Sequence, residues 1–279
     1  MSKPQWMPSR SDDQTSDDAK SLVFDSKPLD SDLEILGYPL ARIRIGVNVP
    51  VAKLAVRLTE VLPNGKSWLV SYGILNLTHR ESHEHPTALK PGELYDVQVP
   101  LYMVAHRFKK GSRIRAALSE SLWPLVWPSP EIATLTVDLG ASSLVLPVRP
   151  TPAREAVFPI PVIRSSGSSP YTHTVMGPGT EANLTSPLKS TLIPEIGTVV
   201  ETQSSERLVI KEGQPNSSAW TQENMTAWKR GDWDCTVSAS FELTSTPEEF
   251  RLTEVLRAKK GDTEIFKREQ FSTIKRDLL

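Results

Sequence analysis

Apolar and polar residues alternate along most of this chain. Leu33 and Ile35, then Ile43, Ile45 and Val47, recur at every second position, the period of a half-buried strand. Leu54, Val56 and Leu58 repeat it, with Lys53, Arg57 and Thr59 between them. Pro63-Asn64-Gly65 follows, and Asn-Gly between alternating runs predicts a hairpin, because both residues tolerate φ > 0. The return strand runs from Trp68 to Leu77. Residues 79–94 are polar and read as a long loop. Tyr95–Leu101 is a further strand, Lys109-Lys110-Gly111 a turn, and Arg113–Leu118 a strand in which Ile114, Ala116 and Leu118 share a face. Trp123, Pro124, Trp127, Pro128 and Pro130 break regularity before two short strands, Thr134–Leu139 and Leu144–Val148. Eight or nine strands at even spacing from residue 33 read as an all-β sandwich or barrel.

Residues 149–225 change character. Five prolines between Pro150 and Pro170 accompany a Ser/Gly run at 165–169, which predicts a linker or extended arm. Only Thr198–Glu201 and Arg207–Ile210 look strand-like inside it. From Trp233 to Leu243 every second residue is apolar, and with Phe250–Ala258 and Thr263–Phe271 this predicts a three-strand meander. Three strands with one apolar face need something to pack on. The resulting division is a flexible segment 1–26, a β-sandwich 27–150, a Pro/Ser-rich arm 151–225 and a meander 226–279 that completes the sandwich.

Composition narrows function mainly by exclusion. Lys plus Arg is 32 against 33 Asp plus Glu, a net charge of -1, so no electrostatic footprint for nucleic acid or an anionic membrane is present. A single cysteine, Cys235, rules out an internal disulfide framework. No run approaches the ~20 apolar residues of a membrane span, and MSKPQWMPSR lacks the apolar core of a signal peptide. A cytoplasmic protein without cofactor is the expectation.

Nucleophilic chemistry finds no carrier. A nucleophile elbow reads G-x-S-x-G; Gly65-Lys66-Ser67-Trp68-Leu69 and Gly140-Ala141-Ser142-Ser143-Leu144 both lack the closing glycine and fall in hairpin context. His79, His83 and His85, with Arg80 and Glu81 and Glu84 interleaved, have spacing that zinc could use. Their polar loop reads better as a solvated or domain-contacting segment, because metal sites favour rigid elements. His106, near a strand end, reads as structural. Trp123 and Trp127 offer either an aromatic platform for a sugar or peptide, or a cap on the sandwich end. Cys235 lies on the apolar side of its strand and reads as an inert thiol.

Several runs carry a resemblance. DDAKSLVFDSKPLDSDLEILG (Asp17–Gly37), YGILNLTHRESHEHPTALKPGELYDVQV (Tyr72–Val99) and AHRFKKGSRIRAALSES (Ala105–Ser121) resemble the C-terminal jelly-roll region of the cocaine esterase and X-prolyl dipeptidyl-peptidase family of serine hydrolases. GDWDCTVSASFELTSTPEEFRLTEVLRAKKGDTEIFKREQ with IKRDL resembles the final strands of larger members. The resemblance implies a galactose-binding-like jelly roll. It also implies an α/β-hydrolase domain, carrying Ser, Asp and His, that lies N-terminal to the jelly roll. None of those positions maps onto this sequence, so no catalytic residue is carried over. The implied partner is a separately encoded α/β-hydrolase domain, whose substrate pocket the jelly roll walls, with oligomer contacts as a further implied role. The loops 79–86 and 122–130 are the expected contact segments. A stand-alone carbohydrate- or ligand-binding module is the alternative, and a remnant of a longer gene a third.

Overall fold

The computed structural model describes residues 13–150, the strand 172–176 and residues 181–279. They fall into two compact units, which divide between residues 162 and 163, with Leu278 and Leu279 belonging to the first.

The first unit is a β-sandwich, as the alternation predicts. One sheet has the order β1-β8-β4-β5, from strands Leu22–Asp25, Arg113–Ser119, Lys53–Val61 and Ser67–Asn76. The second has the order β6-β3-β9, from Leu94–Pro100, Leu40–Val47 and Leu135–Val145. A two-stranded pair joins β2 (Leu33–Gly37) to β7 (Val104–Phe108). All of these pairings are antiparallel. The alternating residues meet in one buried cluster: Leu54, Val56 and Leu58 of β4 and Leu118 of β8 with Ile43 and Ile45 of β3, Val97 and Val99 of β6, and Phe108 of β7. The Asn64-Gly65 turn forms as expected, with Leu62 N–H donating to the Lys66 carbonyl at 2.8 Å and Gly65 at φ 85°. At Gly73 of β5 a Cβ would collide with the Pro100 carbonyl, so only glycine lets β5 and the end of β6 approach this closely.

Strand β4 departs from simple alternation, because all eight residues from Lys53 to Glu60 are buried. The outer face of its sheet is covered by a segment that the sequence reads as flexible. Within residues 1–26, only 1–12 lie outside the described residues. Asp13 bridges to Trp68, Gln14 N–H donates to the Ser67 carbonyl at 2.6 Å, a single helical turn α1 spans Thr15–Asp18, and β1 pairs with β8. Few apolar side chains hold this segment, and its charges do the work instead. Asp18, with its side chain 3 % exposed, sits 3.1 Å from the Arg57 guanidinium and 3.0 Å from that of Arg115. Arg57 also donates to Gln14 Oε1 at 2.8 Å and Ser21 Oγ at 2.9 Å. Arg115 grips Asp25 with two bonds of 2.6 and 2.8 Å. A hydrophobicity pattern does not show such a segment, since its partners lie 36 to 97 residues away.

The second unit corrects the predicted arm. Residues 151–171 lie outside the described residues, but 181–225 lie in strands: β11 (Glu181–Ile193), β12 (Thr198–Lys211) and β13 (Gln214–Arg230). With β10 (Thr172–Met176), β14 (Trp233–Ser245), β15 (Glu249–Lys260) and β16 (Thr263–Lys275) they form one seven-stranded antiparallel sheet in chain order. The expected three-strand meander is therefore the last part of a larger one. Thr, Ser, Gln and Glu fill much of β12 and β13, and these residues hide the period of two although they tolerate extended backbone. Two-residue turns with left-handed glycines, Gly213, Gly231 and Gly261, set the hairpins. On one face Trp220 packs edge-on against Phe241 with centroids 4.9 Å apart.

Removing the Asp18 charge leaves Arg57 buried without its anion, a change that costs on the order of 3 kcal/mol. Asp18→Asn is expected to lower the urea midpoint of the first unit accordingly, and an unchanged midpoint would refute this anchoring. Acid acts on the same network. The Arg115 guanidinium holds the Asp25 carboxyl below its ordinary value of 3.8. A depressed folded-state pKa gives stability that is complete above the unfolded value and lost as pH falls through the folded one. Asp25→Asn is therefore expected to flatten the fall in stability below about pH 4, as read by thermal melts across that range.

Candidate functional site

The two loops singled out in the sequence are both structured, in different ways. After β5, a short 3-10 turn, Leu77–His79, is capped by Asn76, whose side chain accepts from Thr78 N–H. This turn places His79 and His83 four residues apart on one side of the loop, with their Nδ1 atoms 3.2 Å apart. His85 does not join them; its backbone N–H donates to Ser82 Oγ, as does that of Glu84. Among the described residues, no group of three or more His, Cys, Asp or Glu is placed to hold a metal ion. Arg80 closes the loop. Its guanidinium donates to the carbonyls of Leu77 and Thr87 and stacks 4.3 Å over the Tyr95 ring. Asn76 and Thr78 also donate to the Leu278 carbonyl at 3.0 and 2.8 Å.

The tryptophan loop packs inward at Trp123, Pro128 and Ser129. Trp123 is 5 % exposed, and Trp127 is half-buried. A ring as enclosed as Trp123 offers no face to a ligand from solvent. Beneath this loop Lys53 reaches Ser129 Oγ at 3.4 Å, and burial pushes the Glu120 carboxyl up while Lys53 pulls it down. His106 meets Glu60 at 2.9 Å, and Lys109 N–H donates to the same carboxylate at 2.8 Å, as expected of a structural histidine. The serines of the two incomplete elbows are engaged elsewhere: Ser67 Oγ donates to Thr59 Oγ1 at 2.9 Å, and Ser142 Oγ to the Asp138 carbonyl at 2.6 Å. An apolar cleft of about 340 Å³ opens between the two sheets, lined by Phe24, Ile43, Ile114, Leu118, Val137 and Leu144. Its one ionisable group is Asp25, already held by Arg115.

A third region was not found by sequence reasoning. Leu36, Tyr38, Tyr102 and Met103 are each more than half exposed, at 56, 67, 65 and 64 %. Register brings them to one corner of the sandwich: Gly37 pairs with Val104, and Leu101 N–H donates to the Pro39 carbonyl. The corner is fixed in place. Tyr102 N–H donates to the Tyr72 carbonyl at 2.9 Å, Ser71 Oγ donates to the Tyr102 carbonyl at 2.7 Å, and the rings of Tyr72 and Tyr102 meet edge-on at 4.9 Å. These large side chains are held in place while facing water. The available signal was Tyr38-Pro39 and Pro100-Leu101-Tyr102-Met103, apolar residues beside prolines where the alternation stops.

Comparisons with known proteins give several matches. The family model described as the X-Pro dipeptidyl-peptidase C-terminal non-catalytic domain matches residues 2–182. Cocaine esterase of Rhodococcus sp. (strain MB1 Bresler) is 26 % identical over 103 residues, covering 37 % of this chain and 18 % of the esterase. An α-amino acid ester hydrolase structure is 26 % identical at a TM-score of 0.48, over 50 % of this chain and 27 % of that one. An aminopeptidase structure from a marine sediment Thaumarchaeota archaeon is 22 % identical at a TM-score of 0.48, over 50 % of this chain and 28 % of that one. The chain thus spans under a third of each of these proteins. No helix among the described residues is long and apolar enough to cross a membrane.

Arg80 is expected to govern order in the 77–87 loop. Arg80→Met removes two hydrogen bonds and a cation–π contact, worth about 2–4 kcal/mol together. The expected result is faster amide exchange at Thr78 and Thr87 with the sheets unaffected; unchanged exchange there would remove Arg80 from this role.

Proposed function

The chain belongs to the family of X-Pro dipeptidyl-peptidase C-terminal non-catalytic domains, and from that premise we propose that its sandwich docks on a separately provided α/β-hydrolase domain and walls that domain's substrate pocket. The enzyme so completed is an acyl hydrolase of cocaine esterase or X-prolyl dipeptidyl-peptidase type. The observation that carries this reading is the rigid apolar corner of Leu36, Tyr38, Tyr102 and Met103, which supplies the kind of surface a partner domain covers. In the same reading the loop around His79, Arg80, His83 and His85, which meets the other end of β6 through Tyr95, supplies a separate polar contact.

The finer features of the proposal have their own support. Neighbours far apart in sequence, β1 beside β8 and β3 between β6 and β9, support a jelly-roll order of galactose-binding type. A chain with one cysteine, free and half-buried, needs no oxidising compartment, which supports a cytoplasmic setting. The enclosure of Trp123 weighs against the carbohydrate-binding alternative.

Two measurements test the proposal together. The chain alone is expected to show no mass adduct with a fluorophosphonate serine probe and no turnover of a p-nitrophenyl ester or an X-Pro anilide. An α/β-hydrolase domain carrying G-x-S-x-G is expected to bind it, and Tyr38→Ser with Tyr102→Ser to weaken that binding at least about tenfold, the scale of an interface anchor. A stoichiometric adduct on the chain alone would overturn the non-catalytic reading. Binding insensitive to the two tyrosines would overturn the corner as the docking surface.

A further inference from the structure

The second unit ends in an open edge. Among the described residues β16 hydrogen-bonds along one side only, to β15, and 12 of its 13 residues are exposed. Its apolar side chains are conspicuous for an edge strand: Ile265 is 62 % exposed, Phe266 47 %, Phe271 65 % and Ile274 54 %. An outer row of main-chain N–H and C=O groups beside such side chains is a template for another strand.

We propose that β16 pairs antiparallel with β16 of a second copy of the chain, about a two-fold axis at Arg268, so that two sheets join into one. The argument rests on the order of residues from Phe266 to Phe271, read as Phe-Lys-Arg-Glu-Gln-Phe. A two-fold axis normal to the sheet sets residues equally spaced on either side of the axis opposite one another. Centred on Arg268, Lys267 lies opposite the partner's Glu269, within the regular part of the strand; Ile265 falls at a bulge in the β15–β16 ladder and sets no register. Symmetry makes this contact twice, on one face of the joined sheet, and opposite charges across strands are the kind of pair that stabilises a ladder.

Neighbouring registers lose this pair. Centred on Glu269, two carboxylates stack and Lys267 meets an aromatic ring. Centred on Lys267, two ammonium groups stack. The Arg268 register has one unfavourable contact, between the two Arg268 side chains on the other face. There each guanidinium lies diagonal to the partner's Phe266, within reach of a cation–π contact. Charges on an edge strand also serve simply to repel unwanted strands. Repulsion needs charge alone, whereas pairing needs the self-complementary order found here. Lys267 and Glu269 already approach each other within one strand at 2.8 Å, so both are held on the face where the pairing would use them.

Charge swaps give a decisive test on the full chain, by sedimentation velocity over a concentration series. The wild type is expected to dimerise reversibly. Lys267→Glu and Glu269→Lys, each alone, place like charges opposite one another, and each is expected to weaken the dimer at least about tenfold. The double swap restores opposite charges and is expected to restore the dimer. A mixture of the two single variants is expected to form heterodimers, because every cross-strand charge pair is then opposite in sign. Far-UV circular dichroism checks that each variant keeps its sheet. A chain that stays monomeric at all concentrations would overturn the proposal. So would a dimer indifferent to the single swaps, or one that the double swap fails to restore. The proposal does not depend on the catalytic-partner reading, since β16 lies in the unit outside the docking corner.

Discussion

The buried contact of Asp18 with Arg57 and Arg115 decides what the first unit can be. A sandwich sheet ordinarily has one dry face and one wet face. Here β4 is dry on both, and its outward side chains include an arginine and a lysine. Burying Arg57 is tolerable only with an anion and further acceptors beside it. Asp18, Gln14 and Ser21 supply them, and they come from a stretch with almost nothing apolar to offer. The segment and the sheet therefore need each other. Without the segment the outer face of β4 holds an unpaired cation, and without the arginines the segment has no reason to lie down.

The two units rely on different physics. The sandwich has a true interior, in which Leu54, Val56, Leu58, Ile43, Ile45 and Phe108 share one cluster. The second unit, among its described residues, is a single sheet whose side chains are mostly half-buried or exposed. Its stability comes from long ladders and cross-strand pairs such as Trp220 with Phe241. An interior of that limited depth leaves apolar residues such as Phe266 and Phe271 in water, which is why its edge invites a partner.

Legibility in the sequence follows the same division. Strands with a clear period of two announce themselves: Ile43-Ile45-Val47, Leu54-Val56-Leu58 and Trp233 to Leu243 all form strands, although β4 is buried on both faces and β14 on neither. Strands held by polar ladders do not, so β11 and most of β12 and β13 passed for an extended arm. The ordered Asp13–Asp25 segment was hidden because its partners are charges distant in sequence. Among site residues, the spacing of His79 and His83 fits the approach of their rings, while nothing in the sequence separates His85 from them. The corner of Leu36, Tyr38, Tyr102 and Met103 was illegible because register, not periodicity, assembles it.

The chain order of strands in the second sheet bears on how the protein is made. Each of β10 to β16 pairs only with strands next to it in sequence, so each hairpin can close as soon as it has emerged from the ribosome. The sandwich has no such freedom. β1 must wait for β8, and β3 for β9, so its core stays open until residue 145 has been synthesised. During that interval the apolar faces of β3 and β4 are exposed. The half that is slow to close is made first, and the half that zips up locally is made last, an order that gives the demanding topology the longest time to form.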